Sequence, residues 1–598
     1  MINSKKILLT MCSIIVLVSL GPSLQGDKPS RLTFLPGTQP GEVLSFESYT
    51  QCQNCHQTQA SGFPVTITAD WHGSPMANAA RDPFFYAATA IANKYVTGAG
   101  EYCIRCHSPT GWLEQHYTPP TGESLTGNDL NGVQCDFCHR MKDPVLPDSS
   151  SNPQVPGYGN GMFRVQTART PKRGPYTDAV ATFHTVQADT FYRTGEFCGV
   201  CHNVSNPMYA TDPITQSPHL YGEIERTYSE WKLSWYAQQG RAGTCQACHM
   251  QAQQGYGANL APTPQRPDIA KHDLTGGNAF LPDILPDFWQ TGIDTTRLRS
   301  GKQRVIQTLQ SAATLGAFAY RRSDTVTVRV QITNLTGHKL PTGYPEGRRM
   351  WLNIVGRNTN GDTVVQSGAY NFQTADLTHD AQAKIYETKP GLTPARAIQY
   401  GVPAGPSFHF ILNDTTYFDN RIPPRGFANA AFASHRAAPV AYAYADGQYW
   451  DVSTYKLPAA VTNVSATLYY QTTSKEYITY LRDQNVGNTY DWKHWGDSLY
   501  ASWNRRGKST PVVMNTQTVT VVDSSTGVSL DNVPLQVSLL QNYPNPFNPS
   551  TKIVFRVASS GSVSLKVFDL LGREVAILVN ERLQQGEHTA SFNAENFP

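Results

Sequence analysis

The sequence predicts a multidomain chain: a mainly α/loop unit built around covalently held groups, then a β-sandwich, then a small Ig-like β unit. Three observations predict it. A length of 598 residues suffices for three or four domains of ordinary size. Ten of the 11 cysteines fall in one pentapeptide that recurs between residues 52 and 249. Beyond about residue 300 there is no cysteine, and the hydrophobic residues alternate with period two.

Composition narrows the function classes. Lys plus Arg is 48 against 45 for Asp plus Glu, a formal charge of +3, which excludes a polybasic nucleic-acid binder and an acidic tail. Hydrophobic residues reach 40%, so large disordered tracts are not expected. Only 16% of residues are charged, with 46 Gly and 40 Pro, so loops and Val/Thr/Tyr strands should outnumber long charged helices.

Residues 1–26 have the pattern of a signal peptide: Lys5 and Lys6, the apolar stretch Ile7 to Leu20, then small and turn residues to Gly26. The stretch is shorter than the roughly 20 residues of a membrane span, although a short anchor has the same outline. Cys12 lies within it and has no role in the mature chain. Ten cysteines in an oxidising compartment would ordinarily suggest disulfides. Their spacing points elsewhere.

All ten lie in C-x-x-C-H: Cys52, Cys55 and His56; Cys103, Cys106 and His107; Cys135, Cys138 and His139; Cys198, Cys201 and His202; Cys245, Cys248 and His249. This is the attachment pattern of c-type haem. Two thiols one helical turn apart can bond the two vinyl groups of a porphyrin, and the next His can ligate the iron as proximal ligand. Zinc and thiol-redox sites share C-x-x-C, but neither explains a His after every copy. The chain is therefore expected to hold five c-type haems.

Distal ligands are a harder inference. Between the signal and residue 290 the remaining histidines are His72, His116, His184, His219 and His272, five imidazoles for five irons. That equality predicts mostly bis-His haems, suited to electron transfer. Met76, one turn after His72, is an alternative ligand. His338, in the marked turn Gly337 to Gly343, could reach a haem from the following domain. Each could equally be an ordinary surface or core residue.

The expected boundaries are a pentahaem domain at 27–300, a haem-free β-sandwich at 301–527 and a third unit at 528–598. In the first, at about 40 residues per haem, porphyrins replace much of the core and neighbouring haems should form one relay. Helical pieces are expected near Met76 to Tyr95 and Tyr228 to Gln239. In the second, a helix-like Thr296 to Phe318 precedes strands at Asp324 to Thr333, Met350 to Gly356, Thr363 to Gln366 and Val464 to Tyr470, with Asn360-Gly361 as a hairpin turn. Arg348-Arg349 could face haem propionates or simply form a turn. No Ser/His/Asp constellation is present. The third unit offers alternating strands at Thr551 to Val557 and Ser562 to Phe568.

Trp71-His-Gly-Ser-Pro-Met76, Ala80-Arg-Asp-Pro83, Tyr102 to Pro109 and Gly132 to Met141 resemble the cytochrome c-554-like multihaem family. Gly337 to Arg349 and Asp419 to Gly426 resemble the haem-free part of its large members. The resemblance implies electron transfer, stacked pairs of bis-His haems and, in some relatives, five-coordinate haems. Asn542 to Phe547 and Leu565 to Val575 resemble the C-terminal sorting domain of type IX secretion cargo. That implies passage across the outer membrane, and against the family's usual ending the stop at Pro598 reads as truncated. An adhesive β module is the alternative.

The expectation is an exported cytochrome acting in the periplasm and then at the outer-membrane surface or outside the cell. It would serve redox partner proteins or extracellular electron acceptors, with the type IX machinery as a transport partner. No nucleic acid is expected, nor a membrane span once the signal is removed; assembly into an oligomer or filament stays open. An electron-transfer protein is favoured over an enzyme. The alternative is a haem oxidoreductase acting on a small nitrogen or sulfur compound at one open-coordinate haem.

Overall fold

The computed structural model describes residues 35–523 apart from 44, 58–64, 147–154, 211, 213–214 and 221. It also describes 537–595 apart from 540–541, 543, 545–546, 559–560 and 570–572. The signal segment at 1–26 and the start of the third unit at 528 lie outside the described residues. No described helix is long and apolar enough to cross a membrane.

The first part is made of short helices and loops. Each thiol motif lies on or at the end of a helical piece: Tyr49–His56, Ala99–His107, Cys135–Cys138, Gly195–Gly199 and Cys245–His249. Helices this short are marginal alone, and residues inside the motifs fasten several of them. Asp136, between Cys135 and Cys138, pairs with Arg140 at 3.1 Å and with Lys172, and accepts from the Glu47 amide at 2.9 Å. Arg105, between Cys103 and Cys106, donates to the carbonyls of Gly161 and Pro36 at 2.7 and 2.6 Å and lies 4.4 Å over the Trp112 ring.

Two glycines allow the motifs to approach. Gly161, at φ +65°, donates to the Val200 carbonyl at 2.9 Å while accepting from Arg105, so one residue joins the second and fourth motifs. A Cβ there would sit 2.9 Å from Cys106 Sγ. Gly132, at φ +58°, lies where a Cβ would meet the Met76 carbonyl at 2.4 Å, and that carbonyl accepts from Val133.

Helix Pro83–Tyr95 starts at Asp82, whose carboxylate caps Phe84 N at 2.9 Å, and carries Pro at its first turn. The later helical expectation resolves into Thr227–Lys232 and a 3₁₀ turn at Tyr236–Gln238.

After residue 300 the sheets begin. One has strand order Trp450–Pro458, Thr325–Asn334, Ala313–Arg322, Val522–Asp523. The other has order Thr363–Ser367, Arg349–Arg357, Asn463–Gln471, Val512–Thr520, with Lys384–Tyr386 also on Arg349–Arg357. Val326, Val328, Val330 and Ile332 from the first join Met350, Leu352, Ile354 and Leu468 from the second in one buried cluster. The spacing of two is what places these side chains on one face. The helix expected over Thr296 to Phe318 ends earlier. It spans Thr295–Ser311, across residue 300, and Phe318 lies on the strand that follows. Ladder bonds to Thr325–Asn334 capture that stretch as sheet.

This part also contains two helices that strand periodicity did not reveal, Lys475–Asn485 and Trp495–Arg505. They rest on Pro83–Tyr95. Trp495 stacks on Tyr86 at 4.3 Å with planes 7° apart, and Asn485 Nδ2 donates to the Ala87 carbonyl at 3.0 Å. Asp287, on Leu281–Phe288, accepts from Ser502 at 2.6 Å and pairs with Arg506 at 2.5 Å. The haem-motif part and the β part therefore share an extensive buried contact.

The tail holds Ser538–Leu539, Ser550–Val557 and Gly586–Asn593 in one sheet and Gly561–Phe568 with Glu574–Leu583 in another, around Phe555, Val557 and Ala590.

Candidate haem centres

Every motif histidine points Nδ1 at an acceptor. His56 donates to the Gly257 carbonyl at 2.6 Å, His139 to Arg173 at 2.6 Å, His107 to Ala79 at 3.2 Å and His249 to Thr275. His202 Nδ1 lies 3.5 Å from Glu225 Oε1. A carbonyl can only accept, so Nδ1 carries the proton in those four rings and Nε2 keeps its lone pair. This is the outer-shell arrangement that orients a metal-ligating imidazole.

Three of the five face a second imidazole. Ring centroids of His56 and His184 lie 6.4 Å apart at 25°, those of His139 and His272 6.3 Å apart at 24°, and those of His249 and His338 6.3 Å apart at 25°. Two metal–nitrogen bonds of about 2.0 Å, with about 1.1 Å more from each nitrogen to its ring centre, would give a similar separation. The second rings are held in the same manner: His272 donates to Ala270 at 2.9 Å, His338 to Lys339 at 2.9 Å and His184 to Thr185 at 3.2 Å.

Burial favours the neutral, ligating form of these rings. It lowers His56, His139 and His338, and takes His249 and His272 down to about 4, with the facing imidazole contributing to the last two. His202 differs. Burial opposes its charge, yet Glu225 outweighs burial and raises it.

The remaining candidates are placed differently. His116 Nδ1 bonds Asp129 at 2.9 Å and its side chain is 44% exposed. His219 bonds the Ser217 hydroxyl at 2.9 Å and stacks on His435 at 4.2 Å, too close for an ion between them. His72 stacks on Tyr49 at 5.1 Å and leaves Nε2 buried without a partner. Met76 is half-buried against the large apolar cluster. Among the described ring contacts, none of these three imidazoles faces a motif histidine, and neither His107 nor His202 faces a second imidazole. Phe85 lies on His107 at 4.4 Å and 16°. Arg349 turns to Gln471 and Glu476.

The thiols cluster across motifs. Cys52 neighbours Cys135, Cys106 neighbours Cys201, and Cys198 neighbours Cys245, each pair within hydrogen-bonding reach. Cys138 lies within electrostatic reach of Cys198 and Cys201. The fourth motif therefore adjoins the second, third and fifth.

His338 reaches the fifth motif from the β part because its turn is anchored by buried charges. The Lys339 amide donates to Glu230 at 3.0 Å, and Lys339 Nζ pairs with Asp419 at 2.6 Å. Arg421 pairs with Asp419 at 2.6 Å and with Glu230 at 3.5 Å. Sequence reasoning had no signal for Glu225, Gly257, Arg173 or Thr275. Backbone carbonyls carry no residue identity, and Glu225 lies on a short strand distant in sequence from His202.

Thiols one turn apart, a following imidazole with Nε2 free, and facing rings at metal-bridging distance together fit haem c. No curated protein matches the chain. A penta-heme cytochrome c552 from Thermochromatium tepidum is similar in structure at 17% identity, covering 79% of this chain and 98% of that one, with a TM-score of 0.47. Residues 51–140, which carry the first three motifs, match the family model described as cytochrome c554 and c-prime, and this match supports a multihaem c-type cytochrome.

Proposed function

We propose that the chain is an exported pentahaem cytochrome c that passes electrons between redox partners. Its irons would be six-coordinate at His56/His184, His139/His272 and His249/His338. The observation that carries this reading is the set of three imidazole pairs 6.3–6.4 Å apart. Bound haem supplies one-electron redox chemistry. The protein's own residues would attach it through ten thiols, hold four of the proximal imidazoles in one tautomer through a carbonyl, and set the fifth, His202, beside the Glu225 carboxylate. The thiol neighbours support a relay from the first motif to the third and fourth, with branches to the second and fifth. We also infer that 27–300 is the haem domain, 301–527 a β-sandwich that donates His338, and 528–598 an Ig-like sorting unit. With the signal at 1–26, that unit would direct the protein through the periplasm to the cell surface.

A second reading has a specific observation in its favour. His107 and His202 face no imidazole among the described ring contacts, so one of their irons could be open to a small nitrogen or sulfur compound. Mass spectrometry of the denatured mature protein should show five additions of about 0.6 kDa each; three or fewer would defeat the pentahaem reading. An EPR spectrum of the oxidised protein separates the two functions. A dominant low-spin signal supports the relay, whereas a substantial high-spin signal that responds to nitrite or hydroxylamine supports the oxidoreductase.

A further inference from the structure

A cavity of about 10 Å³ lies where strand Glu223–Glu225 meets the β part. It has room for about one water-sized guest. Its polar walls are Glu223, Glu346, Asn413, Thr388 and Thr416, the remainder is apolar, and no Lys or Arg lines it.

Two of the wall groups are buried acceptors without partners. Glu346 is 4% exposed and Asn413 3%, and neither Glu346 Oε2 nor Asn413 Oδ1 has a hydrogen-bond partner. Asn413 Nδ2 donates to the Ser407 carbonyl at 3.0 Å, which fixes the orientation of the amide. Thr388 spends its hydroxyl proton on the Phe418 carbonyl at 3.1 Å. The cations nearby are only partly committed elsewhere, and Arg348 Nε is buried without a partner. Arg348 donates to the Thr342 carbonyl at 2.6 Å, and Arg421 lies 3.6 Å from Glu223 while bonding Asp419. Burial, with Glu223 adding to it, pushes the Glu346 carboxyl up to about 8, and burial also raises Glu223.

Buried acceptors that line one cavity without donors are costly. A guest that meets Glu346 Oε2 and Asn413 Oδ1 together is either a water donating both its protons or a cation, and the Glu223 carboxylate in the same wall favours the cation. Two carboxylates and an amide oxygen, with no sulfur or imidazole, suit a hard cation. Carboxylate and amide oxygens drawn from separate segments suit Ca²⁺, with its flexible coordination, better than Mg²⁺, which demands near-octahedral geometry.

We propose that this cavity binds one Ca²⁺-type divalent cation through Glu223, Glu346 and Asn413. The ion ties the β part to the strand whose Glu225 touches His202. The inference goes beyond electron transfer and does not depend on how many irons are six-coordinate.

The test uses the full-length haem-loaded protein, stripped with EGTA and dialysed against Ca²⁺ or Mg²⁺, with metal per chain read by elemental analysis and unfolding followed thermally. One Ca²⁺ per chain is expected, with Mg²⁺ at least about tenfold weaker and an unfolding midpoint that rises with Ca²⁺ concentration. Glu346→Gln and Asn413→Ala should each weaken Ca²⁺ binding about tenfold or more, with haem content unchanged; two variants guard against a folding failure in one. No retained Ca²⁺ at about 1 mM, or stoichiometry and affinity unchanged in both variants, would overturn the proposal. So would an infrared band of a protonated carboxyl that persists in saturating Ca²⁺ and vanishes in Glu346→Gln, because a proton would then occupy the place assigned to the ion.

Discussion

The imidazoles of His249 and His338 face each other with centroids 6.3 Å apart and planes 25° from parallel. One belongs to the last thiol motif and the other to the turn that follows strand Thr325–Asn334 in the β part. The β part therefore sets an imidazole opposite the last thiol motif as well as packing against that region. Removing the second ring should uncover one iron. His338→Ala is expected to convert one low-spin haem to high-spin, read as loss of one haem's share of the low-spin EPR intensity, about a third if only the three paired sites are low-spin. His116→Ala, whose ring is bound to Asp129, should leave the spectrum unchanged.

The turn bearing His338 depends on charges that have almost no contact with water. Asp419 and Lys339 are nearly fully buried, and Arg421 shares the same carboxylate. Asp419→Ala leaves two buried cations without that partner, and a loss of about 3–5 kcal/mol in chemical denaturation is expected. The spectrum of the haem expected at His249 and His338 should become sensitive to denaturant before the others.

Glu225 is the carboxylate beside His202, and it raises the proton affinity of that ring. A carboxylate hydrogen-bonded to a proximal imidazole makes it a stronger donor and stabilises oxidised iron. Glu225→Gln should raise the midpoint of one step in a spectroelectrochemical titration and leave the others near their original values.

Asp82 gives the pH dependence a defined sign. Burial outweighs the amides of Phe84 and Phe85 and raises its carboxyl to about 7 from an ordinary 3.8. A group raised on folding carries no penalty below its unfolded value, and stability is lost as pH rises toward the folded one. Asp82→Asn keeps a side chain able to cap the helix. The variant should gain on the parent in thermal midpoint between pH 4 and pH 7, with the gap constant above about pH 8.

If residues 528–598 direct secretion, deleting 531–598 should leave haem-loaded protein in the periplasm with its haem count unchanged. Protease shaving of intact cells reads the outcome, and surface exposure equal to that of the full-length protein would exclude a sorting role.

The attachment chemistry was legible in the sequence because it is local. Two cysteines three residues apart and the next histidine meet on one helical turn whatever surrounds them, so all five motifs could be read directly. Strand periodicity was equally local, and Val326, Val328, Val330 and Ile332 do share a buried face. The limits of the helix at Thr295–Ser311 and the presence of Lys475–Asn485 and Trp495–Arg505 were not legible. Neighbouring strands and the face of Pro83–Tyr95 decide those elements. Nor could a count of spare imidazoles distinguish His184 and His272, which face motif rings, from His116 and His219, which are bound to Asp129 and stacked on His435. A facing imidazole can come from anywhere along the chain, because only the folded backbone brings two distant rings together. His338 is the clearest case. The sequence marks its turn, but the ion network of Lys339, Asp419, Arg421 and Glu230 aims it, and that network exists only once the two parts have closed on each other and shut out water.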